Sequence, residues 1–365
     1  MAYESYADFL NALENAEELI RIKEPIATEL EITEIADREM KKPGGGKAIY
    51  IEKPTVNGEI SSIPLVINTM GSNNRMAMAL GADSVATVAA KLGSLVQAKP
   101  PTGFRDAMGL LSKALELRHA RPKKVKNGPC KEVIHHFSTP QTQTDPWPIA
   151  PNIEKLQSTS KDPPTLLDLP ILKCWPLDGG RFLTLPCVVT RDPDTGDRNL
   201  GMYRMQVYDD QSTGMHWQLQ KVAARHGRRY YENGERMPVA VFLGGDPVYP
   251  FCATAPMPDG LDEFLLAGYL RSKSVEMIQC ETCDLEVPAN ADIVIEGYID
   301  TTEPLREEGP FGDHTGYYTL PEPYPVFHIT AITHRKNAIY PATIVGIPPM
   351  EDFYMGSASV KLFLP

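Results

Sequence analysis

The stretch EEGPFGDHTGYY, residues 307–318, sets three acids and a histidine around a Gly-Pro-Phe-Gly turn. Gly309, Pro310 and Gly312 favour a turn of fixed shape. A rigid turn that carries Glu308 and Asp313 can hold two carboxyls at a defined separation. Two acids close together in a partly dry cleft push each other's pKa apart, which leaves one able to donate a proton near neutrality. The plain alternative is a solvated acidic turn, since acids and glycines are common in exposed loops.

Three further groupings have chemistry-bearing side chains. In NLGMYRMQVY, residues 199–208, a continuous strand would put Arg204 on the opposite face from Asn199 unless a bulge or end twist intervenes, so a shared surface is not assumed. Arg204 could clamp a substrate carboxylate through two parallel hydrogen bonds or hold a loop acid ionised, or it could be an ordinary surface arginine. In GMHWQLQKVAARHGRRYY, His216, Trp217, Gln218 and Lys221 offer an aromatic plane, amide donors and a cation, a set that suits a stacked ring with a phosphate tail or simple His–Trp packing. In TAPMPDGLDEFLLAGYL, Glu263 stands at an expected helix start. There it could join Asn199 as an oxygen ligand for a hard divalent cation or merely complement the helix dipole. Cys280 and Cys283 in MIQCETCDLEVP lack a second pair or spaced histidines, and an extended reading sends their side chains to opposite faces, as two strand cysteines.

The elements that must position these residues change character along the chain. Up to about residue 120 apolar residues recur at helical spacing, with Thr28 and Glu31 forming a capping-box pattern, and KAIYIE and PLVINT supply short strands. SVATVAAKLGSLVQA and DAMGLLSKALELRHA read as two more helices. From Glu132 to about Val345 short β-rich runs are punctuated by Pro, Gly and Asp, as in an antiparallel barrel or sandwich. RFLTLPCVVTRD and RNLGMYRMQVYD read as a hairpin about the turn DPDTGD. The final SASVKLFLP stops on an apolar run, so the chain reads as a possible fragment of a longer one.

Composition sets bounds on function. With 365 residues, two or more lobes are expected. A formal net charge of −11 argues against nucleic acid as a partner. The N-terminal stretch has none of the marks of a signal peptide and no window approaches a membrane span, so a soluble, cytoplasmic protein with reduced thiols is expected. KPGGGKA lacks the spacing of a phosphate-cradling P-loop.

Taken in order, NLGMYR, MHWQ, PDGLDEFLLAG, DLEVPANADIVIEGYI and EEGPFGDHTGYY resemble the UbiD family of reversible decarboxylases, as does the helical LEITEIADR near the start. The resemblance covers nearly the whole chain. It implies an α+β fold with a central split β-barrel: an N-terminal α/β lobe over 1–120, a flavin-binding domain over 121–330 and the start of a C-terminal α/β domain over 331–365. The implied cofactor is prenylated FMN, with Mn2+ or Mg2+ and K+ at its phosphate. Arg204, Glu308 and Asp313 match the family's catalytic set, and Asn199 and Glu263 its metal ligands. Met202, Tyr203, Arg204, His216, Trp217, Gln218, Lys221 and Val222 fall where the family contacts the cofactor. The implied reaction is non-oxidative decarboxylation of an aromatic or α,β-unsaturated acid, polyprenyl-4-hydroxybenzoate being one candidate. A flavin prenyltransferase would supply the cofactor, and a homo-oligomer is expected. Gln220 or Lys221 stands where some relatives carry a third, histidine ligand, and the second loop acid is Asp where others have Glu. The rival readings are an FMN-dependent split-barrel oxidoreductase and a non-catalytic flavin-binding fragment.

Overall fold

The computed structural model describes residues 2–96, 117–137 and 165–364. The runs VAVFL and IVIEGYI show little apolar–polar alternation, and the fold gives the reason. Strands Met237–Leu243 and Ile293–Ile299 lie in the middle of a seven-stranded sheet that is covered on both faces. Val189, Ala240, Phe242 and Val294 join one core, with helices Val248–Thr254 and Glu263–Arg271. Val188, Val239, Val241, Ile293 and Ile295 join a second, on the side of helix Val222–Asn233. A strand buried on both faces must be apolar at consecutive positions.

Across the sheet the order is Ser212–Gly214, Val326–His334, Ile293–Ile299, Met237–Leu243, Cys187–Arg191 and Arg198–Met202, and Val133–His136 pairs with the far end of 326–334. Every pairing is antiparallel. The expected hairpin is present as Cys187–Arg191 with Arg198–Met202. Its turn is tied by Asp192, whose Oδ1 accepts the amides of Asp194 and Thr195 at 3.0 and 3.3 Å, an Asx-type closure. The sheet is open: no closed barrel is formed among the described residues.

A second, mixed sheet of five strands lies nearer the start of the chain. Leu19–Ala27, Ala48–Val56 and Leu65–Ile67 are completed by Tyr340–Ala342, which pairs parallel to 65–67, and Glu59–Ile60 extends the edge. Helix Glu351–Phe363 packs on helices Val85–Val96 and Asn73–Ala79. The chain therefore returns to its first lobe after building the central sheet.

Two local expectations are corrected. Thr28 does not cap a helix: its hydroxyl donates to Thr55 O, the helix runs Glu31–Met40 behind Leu30, and the Glu31 carboxylate reaches back to the amide of Ala27. The backbone amide of Thr28 is itself drawn into pairing with Thr55, so strand contacts outweigh the cap. Cys280 and Cys283 do not point to opposite faces. Strand Glu276–Gln279 ends before them, and at the tip leading to Glu286–Pro288 their sulfurs converge beside Glu296. The helix expected over 106–120 lies largely outside the described residues. No helix among those described is long and apolar enough to cross a membrane.

Candidate active site

The 307–318 segment is the tip of a hairpin whose short strands are Arg306–Glu308 and Glu322–Tyr324. Its backbone is tied at several levels: Phe311 O accepts from Thr319 N at 2.9 Å and the amide of Asp313 donates to Tyr317 O at 3.0 Å. Outside partners fix its orientation. Gly309 N donates to Gln206 Oε1 and Gly312 N to the buried Asp178, each at 2.7 Å. Gly309 has φ +105°, a conformation that other residues rarely adopt. At Gly312 a Cβ would stand 2.2 Å from Trp175 Cδ1, so the indole fits only against glycine.

This turn delivers the carboxylate of Glu308 to Arg204. Arg204 Nε donates to Oε1 at 2.8 Å and Nη2 to Oε2 at 2.9 Å, the two-pronged pairing of guanidinium with carboxylate. His216 Nδ1 donates to Oε2 at 3.1 Å. Glu308 is fully buried. Burial alone would raise its pKa, but the bonds from Arg204 and His216 outweigh that and hold it below the ordinary carboxylate value. Glu308 is therefore ionised at neutral pH. Arg204 is fixed in turn by the ring of Phe311, 4.5 Å below its guanidinium carbon, and by Thr319 Oγ1 at 3.2 Å. The His216 ring packs on Tyr324 with centroids 4.3 Å apart.

Asp313 takes a separate position. It accepts from His314 Nδ1 at 2.8 Å, and no hydrogen bond joins it to Glu308. The expected mutual repulsion of two neighbouring acids is thus not the feature that sets Glu308. Its charge is governed by Arg204 and His216.

Arg204, His216 and Asp313 line a cavity of about 570 Å³ together with Met202, Tyr203, Gln218 and Lys221. Phe311, Leu320 and Tyr324 add apolar walls. Trp217 does not face it: the indole packs edge-on against Tyr203 and borders a neighbouring surface groove. Val222 lines a second cavity of about 270 Å³, where Asn199 and Glu263 also sit. Lys221 and Val222, adjacent in sequence, thus each border one of the two spaces.

The second cavity has the donor set of a cation site. Glu263 opens its helix, capped by Asp262, and its Oε2 accepts only the amide of Leu200 at 2.8 Å. Burial pushes its carboxyl up to about 7, because the loss of water outweighs the backbone hydrogen bond from Leu200 and the attraction of Arg198. Asn199 turns its amide nitrogen to the Tyr203 hydroxyl at 3.4 Å, which leaves the amide oxygen as the atom that could take a cation. Neither Gln220 nor Lys221 lines this cavity; Gln220 is exposed and bonded to Gln218. His226 does line it, with Nδ1 3.0 Å from Thr190 Oγ1, and burial lowers its pKa to about 4, so the ring is neutral.

Sequence reasoning missed the part played by His216, Thr319, Phe311 and Gln206 around Arg204 and Glu308. Gln206, His216 and Phe311 lie inside the quoted motifs, but nothing in their spacing discloses these contacts.

Comparison with known proteins decides the family. Residues 149–348 match the Rift-related domain model of 3-octaprenyl-4-hydroxybenzoate carboxy-lyase, named UbiD, and residues 10–94 match the N-terminal domain model of the same enzyme. The chain belongs to the UbiD family. A relative from Archaeoglobus fulgidus, described only as an uncharacterized protein, is 45% identical over 100% of this chain and 69% of its own length. One from Aquifex aeolicus is 43% identical, with the same coverage of 100% and 69%. Among solved structures, vanillic acid decarboxylase of Sedimentibacter hydroxybenzoicus in closed form aligns with TM-score 0.77 and 26% identity over 97% of this chain and 67% of that one. An evolved dimeric form of the UbiD-class enzyme HmfF from Pelotomaculum thermopropionicum, in complex with prFMN, gives TM-score 0.76 and 26% identity over 98% and 71%. The mixed helix-and-sheet architecture is thus that of UbiD-class enzymes.

Proposed function

We propose that this UbiD-family chain is a non-oxidative carboxy-lyase that uses prenylated FMN to decarboxylate an aromatic or α,β-unsaturated acid. The observation that carries the reading is the Arg204–Glu308 pair beside a cavity that Asp313 also lines. Loss of carbon dioxide leaves charge on carbon that no side chain absorbs, and the modified flavin supplies the electron sink for it when bound. The residues present fit that group. Met202, Tyr203 and Lys221 would hold the ring in the larger cavity, with the phosphate and its ion in the smaller one. Asn199 and Glu263 would ligate Mn2+ or Mg2+, with K+ nearby, and His226 is the nitrogen donor that this cavity itself offers. On this reading the open sheet is one face of a split barrel, with lobes over 1–120, 121–330 and 331–365.

The chain's own groups then have distinct tasks. Arg204, held flat by Glu308 and Phe311, presents its remaining donor surface to a substrate carboxylate. Glu308 stays ionised and keeps that guanidinium in register. Asp313 transfers a proton at its carboxyl oxygen to the carbon that has lost carbon dioxide. His314, largely exposed and bonded to Asp313, connects the acid to solvent. Apolar walls from Phe311, Leu320 and Tyr324 suit a flat conjugated substrate.

A flavin prenyltransferase is the proposed supplier of the cofactor, and a homo-oligomer in the cytoplasm is the proposed state of the protein. Co-expression with such a prenyltransferase, followed by mass and spectrum of the extracted cofactor and a screen of aromatic acids for carbon dioxide release, tests the reading. Unmodified FMN with hydride transfer from a nicotinamide would favour an oxidoreductase instead.

A further inference from the structure

The tip of the hairpin Glu276–Gln279/Glu286–Pro288 is a knuckle, closed by the amide of Cys280 on Leu285 O at 2.8 Å. One ligand atom each from Cys280, Cys283 and Glu296 lies within 4.8 Å of the others, and all three residues are buried. We propose that this knuckle is a binding site for a zinc-class divalent ion, held by both sulfurs and a carboxylate oxygen of Glu296.

A Cys-x-x-Cys pair at a hairpin tip brings two sulfurs to one side, which flat strands three residues apart do not. Zinc–sulfur bonds of about 2.3 Å in a tetrahedron need ligand atoms just under about 4 Å apart, so side-chain rotation alone can complete the geometry. Thiolates with one carboxylate select a borderline-soft ion rather than Mg2+ or Ca2+. The chemistry is therefore distinct from the oxygen donors of Asn199 and Glu263.

The carboxylate of Glu296 is already oriented for this work. It lies in the middle of the central sheet and is fully buried. Oε1 accepts the amide of Glu281 at 2.9 Å, and Oε2 accepts the amide and hydroxyl of Thr282 at 2.8 and 3.0 Å. Each carboxylate oxygen can take two partners, so Oε1 retains capacity for an ion while the knuckle's own amides fix its direction. Such supporting bonds are the usual companions of metal ligands.

A histidine lies on the same sheet face, two strands away and outside the cluster of three. Glu296 is opposite Ala331, and Ala331 is opposite His136 on the next strand. Both ring nitrogens of His136 are buried without a hydrogen-bond partner. Both sulfurs must bind as thiolates, so ion binding must release thiol protons to solvent. Two thiolates and one carboxylate leave a single negative charge around a divalent ion. Lys131, bonded to the Glu281 carboxylate and to Gln279 O, stands beside it.

The test uses the intact chain, reduced and freed of metal, titrated with Co2+ and read by absorption. The expected result is a thiolate-to-cobalt charge-transfer band that saturates at one ion per chain, disappears on adding Zn2+, and is lost in the Cys280→Ser/Cys283→Ser variant. Alkylation followed by peptide mapping locates the ligands independently of how that variant folds: Zn2+ should protect the peptide carrying both cysteines, and a chelator should restore its labelling. Absence of the band in the wild-type chain, equal labelling with and without Zn2+, or a mass showing a Cys280–Cys283 disulfide under reducing conditions would overturn the proposal. Neither of the two cavities assigned to the flavin and its ion has a thiol in its lining, so none of these outcomes bears on the decarboxylase reading.

Discussion

Arg204 and Glu308, 104 residues apart in the chain, meet through two parallel hydrogen bonds of 2.8 and 2.9 Å, with the carboxylate wholly buried. Removing one partner of such a pair leaves an uncompensated charge in a dry setting. Glu308→Gln keeps the shape and deletes the charge, so chemical denaturation near neutral pH should show a loss of about 3–5 kcal/mol. Acid should erase that difference. Glu308 is held below its ordinary pKa, so its stabilisation is complete above the unfolded value and fades as pH falls through the folded one. The gap between wild type and Glu308→Gln should therefore narrow from about pH 5 downwards; a gap that widens in acid would contradict the assignment.

Glu263 should behave in the opposite sense. Its carboxyl is raised to about 7 by burial, so the folded chain binds the proton more tightly than the unfolded chain. That contribution is fully present below the unfolded value of about 4.3 and is lost as pH rises through about 7, on the order of 3 kcal/mol in total. A cation that binds the ionised form offsets this loss. Thermal melts with Mn2+ should show stabilisation that is large near pH 8 and small near pH 5. Glu263→Gln should abolish the response and raise the stability of the metal-free chain at alkaline pH.

Asp313 lines the cavity on an otherwise exposed turn, so its removal should cost activity without much stability. Asp313→Asn is expected to lower kcat by about 10²- to 10⁴-fold, the range of a lost proton donor. Its melting temperature should stay close to that of the wild type. A parallel loss of both would mean that the residue only shapes the loop.

At Gly309 the turn depends on a backbone angle of +105°. Gly309→Ala should destabilise by about 1–3 kcal/mol and displace the Glu308 carboxylate from Arg204. Denaturant midpoints measure the first effect. The pH dependence of stability, flattened in acid relative to wild type, would report the second.

Much of the fold could be read locally. The turn DPDTGD marked the hairpin Cys187–Arg191/Arg198–Met202, and Asp262–Glu263 marked a helix start. Both depend on residues close in sequence. Thr28 shows the limit, since its cap was displaced by pairing with Thr55 on a neighbouring strand. His216 shows another: a His-Trp dipeptide does not disclose that one ring will meet a carboxylate 92 residues away while its neighbour packs on Tyr203. The strand containing Asn199 ends at Met202, so parity could not place Arg204. Cys280 and Cys283 share one side because the strand stops at Gln279 and a turn follows, where the local sequence pattern reads as continued strand.

The most direct measurement is carbon dioxide release from an aromatic acid by the protein co-expressed with a flavin prenyltransferase, compared between wild type and Glu308→Gln. Turnover by the wild type with a loss of about 10²-fold in the variant, the cost of a misplaced positioning group, at equal cofactor content, is the expected result. Equal turnover in the two proteins would contradict the role assigned to Arg204 and Glu308.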